Sequence, residues 1–301
     1  MIPTRNVAFL ACQETLPAAL GGAEERRGDA FEHDLQVSAL RPAFAAAGLE
    51  LVELDWHAPL GDFDGIELAL LGTAWDYQDH AAAFLARLKE LEEYGITVCN
   101  SSSIVRWNLD KGYLRELGEA GLPTIPTLWH GDVGQSEVLA GFDHFATDQV
   151  VVKRQVGAGG MGQHSFTRDA PPPDNWSMGH ASMIQPFLPS IGEEGEFTFV
   201  FIDGEFSHGV RKRAAKGEYR IQSLYGGTEE GYTPSSEDLT AAQSVVDALP
   251  FEDLLYARID MVRLPSGTLA VMEAELIEPY LYPQQGPELG TRLARAITDR
   301  T

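Results

Sequence analysis

Apolar and polar residues alternate along residues 254–277, on both sides of a short turn at residues 265–267. Alternation with a period of two is typical of β-strands, and a turn that contains proline and glycine between two such segments predicts a hairpin. We expect Leu264 to pair with Leu269 across this turn. Both segments are rich in apolar residues, which favours a buried hairpin.

This hairpin carries charged side chains on one face. In the expected register Asp260 faces Glu273, and Arg258 faces Glu275. Side chains alternate between the two faces of a strand, so all four project from the same side. Three carboxylates in an otherwise apolar hairpin are costly unless a cation neutralises them, and oxygen ligands favour a hard ion such as Mg²⁺. The alternative is a solvated outer face.

Strands and helices alternate in the first third of the chain, which predicts a parallel α/β sheet. Strand patterns occupy residues 5–12, 49–56, 66–72 and 96–100, and helical patterns occupy residues 34–47 and 80–94. The residues Trp75, Asp76 and Tyr77 follow the third strand, at the end where open α/β sheets bind ligands. They are candidate substrate contacts, with loop packing as the alternative.

A glycine-rich segment follows a strongly apolar strand in the middle of the chain. Lys153 ends the strand, and Gly157, Gly159 and Gly160 come after it. Glycines let a loop approach phosphates closely and offer backbone N–H groups. The lysine precedes the glycines, so the segment is not a P-loop. A hairpin lid over a nucleotide fits better, and an ordinary turn is the alternative.

Composition narrows the classes of partner. The formal net charge of −23 argues against nucleic acid or an anionic membrane as a partner. No segment approaches the ~20 apolar residues of a membrane span. The two cysteines, Cys12 and Cys99, cannot form a disulfide framework, so we expect a cytoplasmic protein.

Residues 100–295 resemble the ATP-grasp family. The pattern of Arg258 and Asp260 followed by Glu273 and Glu275 is similar to the magnesium and phosphate centre of ATP-grasp ligases such as the D-alanine–D-alanine ligases, many of which have asparagine at the position of Glu275. By the same resemblance, Lys111 and Lys153 are the two lysines that bind nucleotide phosphates.

The resemblance extends to the nucleoside. Gln185, Phe187 and Leu188 lie in a segment similar to the adenine-binding hinge, whose backbone bonds the adenine edge. Glu196 resembles the glutamate that binds the ribose hydroxyls, and Glu193 and Glu194 are nearby alternatives.

Further residues resemble the glutathione-synthetase-like branch of the family. Arg220, Gly226 and Gly227 resemble an arginine that faces the transferred phosphate and a glycine pair near it, and Lys212 fits a further phosphate-side cation. His208 flanks this region, where a structural and a catalytic role are equally compatible with the sequence. The stretches TAWDYQDH, SIVRWNLDKGYLREL and AELIEP are similar to the subgroup that includes the D-cycloserine-forming ligase.

The resemblance implies an α/β (α+β) protein with the ATP-grasp fold. It implies an N-terminal substrate-side domain at 1–100, a central subdomain with the lid at 101–182 and a C-terminal subdomain with the metal site at 183–301. Its expected ligands are ATP and Mg²⁺, as one ion or two, with Mn²⁺ as an alternative. A homodimer is also expected.

The activity implied is that of an ATP-dependent carboxylate–amine ligase acting on a small amino-acid-like substrate. A carboxylate is a poor electrophile, and phosphoryl transfer from ATP would activate it as an acyl phosphate. Cations that are already in position would stabilise the negative charge on the phosphoryl group during its transfer. The amine attacks from a second molecule or closes a ring. The alternatives are a phosphotransferase on a small molecule and a nucleotide-binding module without chemistry.

Overall fold

The computed structural model describes residues 5–157, 162–215 and 226–300. Gly159, Gly160 and Arg220 lie outside the described residues. The strands are β1 (Arg5–Ala11), β2 (Leu49–Asp55), β3 (Ile66–Thr73), β4 (Thr97–Cys99), β5 (Leu128–His130), β6 (Gln149–Arg154), β7 (His164–Thr167), β8 (Ser182–Pro186), β9 (Glu196–Ile202), β10 (Glu205–Arg213), β11 (Thr228–Tyr232), β12 (Tyr256–Arg263) and β13 (Leu269–Glu275). The α-helices are α1 (Phe31–Ala46), α2 (Ala81–Glu93), α3 (Ser102–Asn108), α4 (Tyr113–Glu119), α5 (Gln135–Phe145), α6 (Ser190–Glu193), α7 (Ser236–Asp247) and α8 (Leu289–Thr298).

The N-terminal part contains a parallel four-stranded sheet in the order β2-β1-β3-β4, as the alternating pattern predicted. Strand β1 is apolar on both faces because each face is covered. Val7 and Phe9 pack in one cluster with residues of α1, and Ala8 and Leu10 pack in another with residues of α2.

The central part contains an antiparallel sheet in the order β5-β8-β6-β7. Its core joins Val150, Val152 and Ile184 of the sheet to Val138 and Phe142 of α5. Lys153 lies near the end of β6, where the glycine-rich segment begins.

The C-terminal part contains an antiparallel sheet in the order β11-β10-β9-β12-β13. One face packs against α7 through Phe199, Ile259 and Val245. The other face packs against the N-terminal part through Val200 and Tyr256. At the end of the sheet beyond these apolar contacts, the second face carries charged residues.

The predicted hairpin is present as β12 and β13, but its register at the turn differs from our expectation. Arg263, and not Leu264, pairs with Leu269. A bulge after Asp260 restores the predicted pairing towards the base, where the residues that face each other are Asp260 with Glu273 and Arg258 with Glu275. The bulge leaves Met272 without a partner on β12.

Among the helices of the described ranges, none has the length and apolar character needed to cross a bilayer.

Candidate functional site

Charged and polar side chains from four adjacent strands gather on one face of the C-terminal sheet. Pairing across the strands aligns Lys212 with Glu196, Thr198 with Asp260, Asp260 with Glu273 and Arg258 with Glu275. Directly opposed residues share a face. We call this set, Glu196, Thr198, Lys212, Arg258, Asp260, Glu273 and Glu275, the charged face.

Arg258 and Asp260 form the centre of the charged face. Arg258 Nη2 donates to Asp260 Oδ2 at 2.9 Å and also to Glu275 Oε1, and its Nη1 donates to the Tyr280 carbonyl at 3.2 Å. Thr198 Oγ1 donates to Asp260 Oδ1 at 2.6 Å. Burial would raise the pKa of Asp260, but Arg258 and Lys212 outweigh it and lower that pKa to about 2. Asp260 is therefore ionised.

Lys212 joins two carboxylates of this face. Its Nζ forms an ion pair with Glu196 Oε1 and lies 3.2 Å from Asp260 Oδ2. Burial nevertheless raises the pKa of Glu196 to about 8 and that of Glu275 to about 7, against the opposing effects of Lys212 and Arg258. The face thus holds more buried carboxylate than its own cations compensate.

Two lysines of the central part approach the same face. Lys111 Nζ lies 2.7 Å from Glu273 Oε1 and donates to the Gly157 carbonyl at 2.5 Å. The Lys111 backbone N–H also donates to the Gln155 carbonyl at 2.9 Å, which fixes it beside the end of β6. Burial lowers the pKa of Lys153, and Glu273 opposes that shift. Lys111 therefore contacts a predicted metal ligand, and the charge of Lys153 acts on the same carboxylate.

An open pocket lies between the central and C-terminal sheets. Ile125, Val151, Leu188 and Met272 form its apolar walls, and Lys153 lies at its edge. The bulge in β13 explains why the Met272 side chain lines this pocket. At a bulge two residues oppose a single partner, and this changes the direction of a side chain. Met272 thus reaches the pocket beside Glu273 on the charged face.

The hinge segment lines this pocket with free backbone groups. The Phe187 N–H donates to the Gln149 carbonyl at 3.0 Å, and the Leu188 carbonyl accepts from the Ile191 N–H at 3.1 Å. In the part of the chain that the structure describes, nothing bonds the Phe187 carbonyl or the Leu188 N–H. An adjacent acceptor and donor remain for a planar ligand in the pocket. The Gln185 side chain instead donates to Thr127 Oγ1 at 3.0 Å.

The candidate ribose ligands differ in their partners. Glu196 is paired with Lys212, and Glu194 Oε2 lies 3.1 Å from Arg263 Nε. Glu193 is exposed at the end of α6, which borders the pocket through Ile191. No described residue bonds its carboxylate.

Comparison with known proteins shows which proteins the chain resembles. Residues 7–100 match the family described as D-cycloserine synthetase DcsG, N-terminal domain. The chain is 26% identical over 286 residues to the cycloserine biosynthesis protein DcsG of Streptomyces lavendulae, covering 89% of this chain and 94% of that protein. The crystal structure of D-cycloserine synthetase DcsG superposes with a TM-score of 0.77 at 22% identity, covering 98% of this chain and 99% of that one.

Two further solved structures extend the likeness. A D-alanine–D-alanine ligase from Bacillus anthracis complexed with ATP has a TM-score of 0.65 at 18% identity, covering 98% of this chain and 96% of that one. The ATP-grasp ligase PsnB with its minimal precursor has a TM-score of 0.63 at 17% identity, with 100% of both chains covered. The fold is that of the ATP-grasp ligases. This confirms the fold and the resemblance predicted from the sequence.

The loop after β3 joins the N-terminal part of the ATP-grasp fold to the segment after β13. Trp75 Nε1 donates to the Glu278 carbonyl at 3.1 Å. Burial and the negative charge of Glu278 raise the pKa of the Tyr77 hydroxyl. Asp76 is turned the other way and accepts from Trp56 Nε1 at 2.7 Å, with His57 Nε2 at 2.9 Å. Of these three candidate substrate contacts, Trp75 therefore bonds the segment after β13, whereas Asp76 bonds residues of the N-terminal part.

His208 is buried and its ring nitrogens have partners. Nε2 lies 3.0 Å from the Leu281 carbonyl, and Nδ1 lies 3.0 Å from Ser207 Oγ. Burial lowers its pKa to about 4. These contacts favour the structural role over the catalytic one. Gly226 and Gly227 directly precede the edge strand β11, and Gly226 has a φ of +79° that suits glycine.

Sequence reasoning missed several residues that shape the ATP-grasp site. Thr198 bonds Asp260, and strand alternation from Glu196 identifies it. Asn108 bonds the Ala274 carbonyl and the Leu276 N–H at the outer edge of β13, which holds this strand in place. No local signal in the sequence reveals such a pairing across 166 residues.

Proposed function

We propose that this protein is an ATP-dependent carboxylate–amine ligase that forms an amide bond on a small amino-acid-like substrate and releases ADP and phosphate. The observation that carries the proposal is the ion pair of Lys111 with Glu273 next to a pocket that Lys153 and the hinge segment line. The likeness to DcsG and to a D-alanine–D-alanine ligase supports an amino-acid substrate.

The pocket would hold the nucleoside. The Phe187 carbonyl would accept from the adenine amino group and the Leu188 N–H would donate to the ring, because these are the free groups of the hinge. Glu193 is the ribose candidate whose carboxylate has no partner among the described residues, while Glu196 takes part in the charged face. Lys111, Lys153 and the N–H groups of the glycine-rich segment would bind the phosphates.

The donor set of the charged face fits magnesium. Asp260, Glu273 and Glu275 offer only oxygens, and hard divalent ions prefer carboxylates together with phosphate oxygens. These three residues would hold one Mg²⁺ ion or two, and the same oxygens accept Mn²⁺. The ion supplies charge neutralisation on the transferred phosphoryl group.

The chain's own cations would complete the chemistry. Arg258 and Lys212 are held at the carboxylates by the contacts described above, so they are oriented before substrate arrives. There they would stabilise the charge that develops as the substrate carboxylate takes the phosphoryl group. The amine would then attack the acyl phosphate and displace phosphate. Arg220, predicted to face the same group, lies outside the described residues.

An ADP-release screen tests the proposal. The purified protein is given Mg²⁺, ATP and amino acids or small peptides of both D and L series, singly and in pairs, including compounds that carry an oxyamine group. A ligase releases ADP and phosphate in equal amounts, and activity with a single compound indicates ring closure. ADP release with a stable phosphorylated product and no free phosphate indicates a phosphotransferase. No ADP release with retained ATP binding contradicts the ligase proposal.

A further inference from the structure

Glu229 stands beside the charged face on the edge strand β11. It pairs directly with Lys212 across the β10–β11 ladder, so its side chain lies on the same face. Its neighbour Glu230 points to the opposite face and forms a 2.7 Å ion pair with Arg213. Adjacent glutamates of one strand thus have different surroundings.

Among the residues that the structure describes, Glu229 forms no ion pair. Within the described ranges no cation lies within 4.0 Å of its carboxylate, since Lys212 is taken by Glu196 and Asp260. Glu229 is half-buried, and burial raises its pKa even though Lys212 and Arg258 oppose the shift. A half-buried carboxylate in this position lowers the stability of the protein when no ligand is bound. It would also repel the phosphates of ATP, which carry the same sign of charge.

A second acceptor without a partner lies beside it. Gln285 Nε2 donates to the Glu229 carbonyl at 3.4 Å, which places the Gln285 side chain against β11. The other end of that amide, Gln285 Oε1, is buried and finds no donor among the residues that the structure describes. Tyr282 lies three residues before Gln285 in the chain, and the centre of its ring is 5.7 Å from Lys212 Nζ. The segment that carries Gln285 is therefore close to the charged face.

The two free groups share one chemistry. Glu229 and Gln285 Oε1 both accept hydrogen bonds, and one of them is negatively charged. An ammonium group offers three donors and a positive charge, which matches both. An anionic or apolar ligand would leave Gln285 Oε1 unsatisfied and Glu229 uncompensated.

We propose that Glu229, with Gln285 Oε1, binds the ammonium group of the amino-acid substrate and selects substrates that carry it. This inference rests on the proposed function and adds the group by which the substrate is recognised. It places the ammonium group on the β11 side of the charged face, away from the nucleoside pocket.

The test compares wild type, Glu229→Gln and the matched control Glu230→Gln in the full chain. D- and L-amino acids are the probes, each set against the 2-hydroxy acid of the same side chain, such as alanine against lactate and serine against glycerate. Calorimetry measures their binding with Mg²⁺ and a non-hydrolysable ATP analogue present, and binding of the analogue alone is measured separately. ADP release is followed with the same compounds.

We expect Glu229→Gln to weaken binding of the preferred amino acid by about 10- to 100-fold, the loss of a hydrogen-bonded charge, while hydroxy-acid and nucleotide binding change little. Glu230→Gln should behave as wild type. The inference is overturned if no amino acid binds wild type, if Glu229→Gln still prefers the amino acid to the hydroxy acid, or if both variants lose binding equally.

The two proposals fail in different ways. Amino acids that bind through Glu229 without any ADP release contradict the ligase and leave the ammonium site standing. ADP release that Glu229→Gln does not alter contradicts the ammonium site and leaves the ligase standing.

Discussion

Two buried polar clusters of this protein differ in how their charges are compensated. The first, which we call the His33 cluster, consists of Thr15, His33, Glu53 and Thr73 in the N-terminal part. His33 Nδ1 lies 2.6 Å from Thr73 Oγ1, and Nε2 lies 2.9 Å from Glu53 Oε2. The hydrogen bond to His33 lowers the pKa of Glu53 in spite of burial. Arg41, which lies outside the cluster, also forms an ion pair with Glu53, so the partners of this carboxylate compensate its charge.

The charged face does not reach that balance. Burial raises the pKa of Glu196 and Glu275 although Lys212 and Arg258 are in contact with them. A fully satisfied polar network specifies structure, whereas a carboxylate excess beside a pocket is suited to bind an ion or a cationic ligand. Both clusters are buried and both contain carboxylates. The candidate site differs from the structural cluster because part of its carboxylate charge is not compensated.

The largest effect should follow from Glu273→Gln on the charged face. This isosteric change removes a proposed metal ligand and the partner of Lys111. We expect kcat/KM for ADP release to fall about 10²- to 10³-fold, as when one electrostatic stabiliser is lost. Circular dichroism should show an unchanged fold, because the Glu273 side chain is 25% exposed. Unaltered Mg²⁺ dependence of nucleotide binding would remove Glu273 from the site.

The opposite result is expected from His33→Ala in the His33 cluster. The change leaves Glu53 buried with one partner fewer, which costs ~3 kcal/mol in the free energy of unfolding. Urea denaturation followed by fluorescence measures this loss. The folded variant should keep kcat within about twofold of wild type, because the cluster supplies no group to the reaction. A large fall in kcat with normal stability would contradict the comparison.

His208 tests the difference between structural and catalytic residues through the pH dependence of stability. The expected effect is smaller than that of His33→Ala. Its folded-state pKa of about 4 lies below the ordinary 6.5, so the unfolded state binds the extra proton. Stability contributed by the neutral ring is present above pH 6.5 and is lost as the pH falls towards 4. From these two values, ~2 kcal/mol should disappear between pH 7 and pH 5.

The matched variant is His208→Gln, which cannot titrate. Its urea midpoint should fall less than that of wild type over the same pH range, since the carboxylates common to both proteins cancel in the comparison. Equal pH slopes for the two proteins would show that His208 titrates normally.

The sequence was informative where chemistry follows strand alternation. Arg258, Asp260, Glu273 and Glu275 are close in the chain, and a period of two places them on one face whatever their partners are. The turn register was wrong by one residue, and the bulge at Met272 compensated for it. The local pattern thus predicted which side chains share one face of the hairpin. It did not predict the register at the turn or the bulge.

Contacts between distant segments were beyond such reasoning. The pairing of Lys111 with Glu273 spans the central and C-terminal parts, and only the resemblance linked the two. Three glutamates between residues 193 and 196 are equivalent in composition, yet the positions of Lys212 and Arg263 give each a different role. These differences arise from contacts with residues that are distant in the chain. The spacing of residues within one segment does not reveal such contacts.

The smallest effect we expect tests whether the loop after β3 belongs with the site or with the scaffold. Trp75→Phe removes one hydrogen bond, from Nε1 to the Glu278 carbonyl, and keeps an aromatic ring beside Arg27, whose guanidinium lies 5.1 Å from the indole. Loss of one neutral hydrogen bond is worth ~1 kcal/mol, or about fivefold. The KM for the amino-acid substrate should rise by that factor, with the KM for ATP unchanged. Trp107→Phe is the matched control, because its Nε1 bonds exposed Glu116 on another surface. If both variants leave every KM unchanged, Trp75 packs the loop only, and the substrate is bound by the charged face and β11 without it.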